Sequence, residues 1–141
     1  MFRRANRILG LVLGILFLAL GGFGFLVTGG LGFFAAQGNL FLGFISLNPA
    51  QNVLHILVGA ALAMGALSNL RASSLVNAWT GAALLAIGLY GLFVIGSEAN
   101  ILSLNSAGNV LNFGAAAVLL AAGLGADQGV PATAGDVVDH A

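Results

Sequence analysis

The sequence predicts an all-α integral membrane protein: four transmembrane helices, arranged as two tandem parallel helical hairpins, with both termini on the cytoplasmic side. Three observations carry that prediction. First, the 141 residues are 60% hydrophobic and 6% charged, whereas soluble domains carry about 25% charged residues. Second, four uncharged stretches reach the roughly 20 residues needed to cross a hydrocarbon core. Third, the glycine and leucine spacing of the first stretch recurs later in the chain, and each copy is followed by the same asparagine-led motif. The length suits one domain without a separate soluble catalytic domain. Cysteine is absent and the formal net charge is zero, so thiolate metal sites are excluded and nothing draws the chain to nucleic acid.

The chain opens with a basic head that places Arg3, Arg4 and Arg7 before an uncharged run from Ile8 to about Thr28. A signal peptide would have a shorter core and a small-residue cleavage site; the later counterpart of this run argues for a mature helix. Residues 29–48 form a loop without charge that contains Phe33, Phe34, Phe41 and Phe44. It suits an interfacial helix, a partial re-entrant segment, a loop in the headgroup region or a surface for lipid or another protein. The second helix is expected over 49–70, because Asn48 can cap it and Pro49 suits the first helical position. The third is expected over 74–95, with Trp79 at interfacial depth. The fourth is expected over 107–125, capped by Asn105. Residues 126–141, with Asp127, Asp136, Asp139 and Pro131, read as a disordered cytoplasmic tail. The transmembrane domain is thus 1–125.

The repeat is explicit. Gly14, Leu18, Ala19, Gly21 and Gly24 recur as Gly81, Leu85, Ala86, Gly88 and Gly91, and Val27 and Gly29 recur as Val94 and Gly96. Leu47-Asn48-Pro49-Ala50-Gln51-Asn52-Val53-Leu54-His55 then recurs as Leu104-Asn105-Ser106-Ala107-Gly108-Asn109-Val110-Leu111-Asn112. Repeat 1 covers about 8–70 and repeat 2 about 74–125. Each repeat holds two helices, so both copies share one orientation, related by an axis along the membrane normal. The four arginines are Arg3, Arg4, Arg7 and Arg71; all flank the termini or the second connection, which the positive-inside rule assigns to the cytoplasm. Gly14, Gly21, Gly81 and Gly88 are expected to pack helices closely, since small residues let membrane helices approach.

Asn52 and His55 share a helix face, as do their copies Asn109 and Asn112. The pseudo-twofold would gather these four polar groups between the second and fourth helices. They would act as interhelical hydrogen-bonding groups, or would hold a pigment, a quinone or a lipid. A single axially ligated pigment at His55 is the one cofactor reading that needs only one imidazole. Bis-histidine haem ligation is excluded because His140 lies in the tail, and one imidazole among amides is a poor metal site. No metal, cofactor or catalytic set is predicted. The absence of intramembrane charge leaves only neutral solutes to a transporter reading.

The run Asn48-Pro49-Ala50-Gln51-Asn52-Val53-Leu54-His55, followed by Gly59, resembles the signature of the DUF4383 family. The run Gly14-Ile15-Leu16-Phe17-Leu18, with Gly21 and Gly24-Phe25, is similar to that family's first helix. The resemblance covers about residues 6–124. It implies a small bacterial four-helix membrane protein of unassigned function. That family's pattern often carries an acidic residue where this chain has Gln51, which weakens any proton or metal role here. The sequence thus leads to a non-enzymatic structural or accessory subunit in a bacterial cytoplasmic membrane, or a thylakoid in a phototroph, with lipid and other membrane subunits or itself as partners.

Overall fold

The computed structural model describes residues 4–126; the tail beyond and the first three residues, with Arg3 and His140, lie outside the described residues. It is mostly helical, and four helices are long and apolar enough to cross a membrane. In chain order they are α1 (Ala5–Gly24), α2 (Pro49–Leu67), α3 (Leu70–Val94) and α4 (Ser106–Ala121), and α4 runs on into a π turn, Ala122–Ala126. At 1.5 Å per residue the 20 residues of α1 span about 30 Å, the thickness of a bilayer core.

Each boundary has a local cause. Asn48, Asn69 and Asn105 are extended, and their side chains accept from the N–H groups of Gln51, Ala72 and Gly108, so three of the four helices start at an asparagine cap. The cap at Asn69 moves the start of α3 to Leu70, four residues before the expected start, and takes Arg71 into the helix. The first helix ends at Gly24 rather than near Thr28, after three glycines in four residues, a composition that weakens helix.

Residues 29–48 contain no helix, which corrects the expectation of an interfacial helix there. Strands β1 (Asn39–Phe41) and β2 (Ile45–Leu47) pair antiparallel, with Asn39 opposite Leu47 and Phe41 opposite Ile45. The turn closes through Phe44 N–H to the Phe41 carbonyl at 3.2 Å. Leu42 and Gly43 carry φ of 52° and 83°, the pair of positive values that suits a primed hairpin turn. Ile45 and Leu47 are buried while Ser46 between them is half-buried, the period-two pattern of a strand.

Helix α1 packs along α2, α3 packs along α4, and the two pairs meet through α2 with α3 and through α1 with α3 and α4. Phe17, Val58, Leu62, Leu84, Ala115, Ala116 and Leu119 form the shared core, drawn from all four helices. Large apolar side chains such as Ile15, Leu16, Leu57, Leu89 and Phe93 point outward. In water such a perimeter would aggregate; in lipid it is ordinary surface.

Candidate functional site at the loop end

The helices have an arginine end, at the start of α1 and the turn between α2 and α3, and a loop end that carries the β-hairpin. The asparagine-led motif lies at the loop end. The Asn48 side chain is fully buried. Its Oδ1 accepts from Gln51 N at 2.8 Å, while its Nδ2 donates to the Ala35 and Ile101 carbonyls, both at 2.9 Å. One carboxamide therefore caps α2 and ties it to both loops. Gln51 does similar work: its amide end lies 2.9 Å from the Ser46 carbonyl and 2.7 Å from the Leu102 carbonyl, two acceptors that require the nitrogen on that side as donor. Asn105 caps α4 through Oδ1 and donates from Nδ2 to the Phe44 carbonyl in the hairpin at 2.8 Å. The hydroxyls of Ser46 and Ser103 meet at 2.7 Å. A Cβ on Gly38 would collide with the Leu47 carbonyl and Ser103 Oγ, so that glycine lets the hairpin lie flat against the second loop.

One turn deeper, Asn52, His55, Asn109 and Asn112 are all buried. Two of them bond to the preceding segment of their own hairpin rather than to one another, Asn52 just past the end of α1 and Asn109 on α3. Asn52 Nδ2 donates to Thr28 Oγ1 at 2.9 Å, and Asn109 Nδ2 donates to the Gly88 carbonyl at 2.9 Å. Among the described residues their oxygens have no N–H or O–H partner. Asn52 Oδ1 lies where a Cβ on Gly24 would stand, and Asn109 Oδ1 lies where a Cβ on Gly91 would stand. Each carbonyl thus faces a glycine of the neighbouring helix, in the space that a Cβ would fill. Asn77 Oδ1 has the same relation to Gly10, at 2.9 Å from its Cβ position. Three asparagine oxygens are therefore seated on three glycines of neighbouring helices.

His55 lies against Phe17, with ring centroids 5.4 Å apart and planes at 46°. Among the described residues its Nδ1 and the Nδ2 of Asn112 have no hydrogen-bond partner. Among the described residues no three His, Cys, Asp or Glu side chains gather as metal ligands.

The four glycines singled out for packing all lie against a neighbouring helix. A Cβ on Gly14 would stand 2.9 Å from Ala63 N and 3.3 Å from Leu62 Cβ; one on Gly81 would stand 3.0 Å from Leu120 N and 3.1 Å from Leu119 Cβ. A Cβ on Gly21 would meet Ile56 at 2.8 Å, and one on Gly88 would meet the Phe113 ring at 3.0 Å. Phe33 and Phe34 pack edge to face at 4.8 Å. Both are exposed, as is Phe44, while Phe41 is half-buried in β1.

The sequence reading missed a second polar group, at the arginine end. Asn77 Nδ2 donates to the backbone carbonyl of Asn6 at 2.9 Å and to its Oδ1 at 2.8 Å, and Asn6 Nδ2 donates to the Ala122 carbonyl at 2.8 Å. Arg7 Nε donates to the Ala66 carbonyl at 2.7 Å. The available signal was Asn77 itself, a lone amide in the third apolar run.

Four apolar helices with polar groups turned inward put the chain in the class of multi-pass membrane proteins. It belongs to the family described as a domain of unknown function (DUF4383), whose model matches residues 7–125 and so takes in all four helices, the hairpin and the asparagine-led motif. No curated protein and no solved structure matches the chain.

Proposed function

We propose that this protein is a non-enzymatic structural or accessory component of a bacterial cytoplasmic membrane, packing in a larger membrane complex or with copies of itself. The observation that carries this reading is the use to which the motif is put. Asn48, Gln51 and Asn105 bind the two loops to the helix starts, and Asn52 and Asn109 fasten the hairpins. Most of the polar groups of the motif are engaged in holding the fold, which leaves an apolar perimeter and the uncharged, aromatic first loop as the surfaces on offer. Gly14, Gly21, Gly81 and Gly88 face neighbours within the chain, so a subunit contact would use the perimeter. Gly22 of α1 and Gly114 of α4, which face open space, mark where a second helix could approach closely.

Two further readings belong to this proposal. The hairpins are tandem copies: matched glycines meet matched partners, with Gly14 on Leu62 and Ala63 as Gly81 on Leu119 and Leu120, Gly21 on Ile56 as Gly88 on Phe113, and Gly24 on Asn52 as Gly91 on Asn109. Both termini are cytoplasmic, supported by Arg4, Arg7 and Arg71 at one end of the helices.

The test is native size in a mild detergent, on protein taken from its own membrane at native expression. Migration with a much larger assembly or as a homo-oligomer is the expected result; a bare monomer contradicts the proposal. One observation favours a second reading, a small-ligand binder: His55 Nδ1 and Asn112 Nδ2 are buried and, among the described residues, unpartnered. It requires a co-purifying pigment, quinone or lipid, detected by mass spectrometry, that is lost in a folded His55→Ala variant.

A further inference from the structure

A cleft of about 260 Å³ opens where the two loops meet, lined by Gln37 and Gly38 of the first and by Ser97, Glu98, Asn100 and Asn105 of the second. It is separate from the His55 group, which is buried among the helices.

The donors in this lining are largely engaged inward. Ser97 Oγ donates to the Val94 carbonyl at 2.8 Å, Asn100 Nδ2 to the Leu104 carbonyl at 2.8 Å, and Asn105 Nδ2 to the Phe44 carbonyl at 2.8 Å. The carboxamide oxygens also accept, Asn100 Oδ1 from Leu104 N at 2.8 Å and Asn105 Oδ1 from Gly108 N at 3.0 Å, so each keeps one lone pair for a guest, beside the Gln37 carboxamide. Glu98 adds a full negative charge, and it is the only acidic side chain outside the tail. Its carboxylate pairs with no cation among the described residues. Arg4, Arg7 and Arg71 stand at the other end of the helices, about 30 Å away by helix rise and well beyond the ~10 Å over which exposed charges interact in ordinary salt. A cleft that offers acceptors and one uncompensated carboxylate selects a cation that carries N–H donors. The volume is below the ~300 Å³ at which drug-sized pockets begin, which matches a guest of a few heavy atoms.

We propose that this cleft binds a small primary ammonium group, with Glu98 as its counter-ion and the loop oxygens as its hydrogen-bond acceptors. The same chemistry is offered by an ethanolamine lipid headgroup and by a free amine in solution. The proposal does not depend on the accessory role above.

The test uses the full chain in nanodiscs of phosphatidylglycerol, a lipid without an amine, titrated with ethanolamine and followed by ligand-observed NMR. Saturable binding is expected. It should weaken at least tenfold in Glu98→Gln, persist in Glu98→Asp, and be absent for ethylene glycol, the neutral analogue. Glu98 is exposed, so Glu98→Gln should unfold at the same temperature as the parent. A second set of nanodiscs containing phosphatidylethanolamine separates the sources. Loss of ethanolamine binding there identifies the lipid headgroup as the occupant, and unchanged binding identifies a free amine; both outcomes support the site. No saturable binding, equal binding by Glu98→Gln, or equal binding of ethylene glycol overturns the proposal.

Discussion

Asn48 and Asn69 both cap helices, yet they differ in what else they hold. Asn69 is exposed, and its side chain serves as the cap, accepting from Ala72 N at 2.9 Å. Asn48 is buried and also donates to one carbonyl in each loop. Loss of a cap costs about 0.5–2 kcal/mol, and a buried carbonyl left without a donor adds about 1–3 kcal/mol. Asn48→Ala should therefore lower thermal stability in detergent clearly more than Asn69→Ala. An aspartate separates the two roles, because it keeps the acceptor and loses the N–H donors. Asn48→Asp should be about as damaging as Asn48→Ala, while Asn69→Asp should be near neutral; equal effects at both positions would contradict the tie between the loops. The caps at Asn48 and Asn105 were legible in the sequence because capping is local chemistry, read from an asparagine before an apolar run. The donors on the other side of the same carboxamides were not legible, since their partners lie in other segments of the chain.

Among the elements, the β-hairpin is the one that sequence periodicity did not reveal. Its strands are three residues each, too short for alternation to stand out in an apolar region, and the phenylalanines suited several structures, a plain loop among them. Two substitutions probe it. Leu42 sits in the left-handed region at φ 52°, where a non-glycine residue gives up about 1–2 kcal/mol. Leu42→Asn, a residue that tolerates this conformation, should raise the melting temperature slightly. Gly38→Val should do the opposite locally, since the added side chain meets the Leu47 carbonyl and Ser103 Oγ. The expected readout is faster proteolysis within 29–48 with helical circular dichroism retained; unchanged protection would mean that the hairpin does not dock on the second loop. Helix α3 teaches a related lesson. Arg71 suggested a loop, but the Asn69 cap starts the helix earlier and places that arginine in its first turn, where its long side chain can reach polar surroundings.

For the whole molecule, the four helices were legible because a run of uncharged residues of bilayer length has few other folds open to it. The burial of Asn52, His55, Asn109 and Asn112 was legible for the same reason. Their partners were not, because which helix lies beside α2 or α4 is a property of the packed helices; Asn6 meeting Asn77 across the two hairpins is the clearest case. The orientation can be tested directly, since the chain has no cysteine. Gln37→Cys should label with a membrane-impermeant maleimide on intact spheroplasts, and Ser68→Cys only after lysis; the reverse pattern would invert the topology. The central claim is that matched asparagines seated on matched glycines fasten two equivalent hairpins. Two double-mutant cycles test it most directly, one on Gly24→Ala with Asn52→Ala and one on Gly91→Ala with Asn109→Ala, each read as thermal stability in the same detergent. Each glycine substitution alone overpacks its seat and should cost about 1–3 kcal/mol, and most of that cost should vanish once the asparagine is removed, giving a similar coupling in both hairpins. Additive effects in either hairpin would contradict the account.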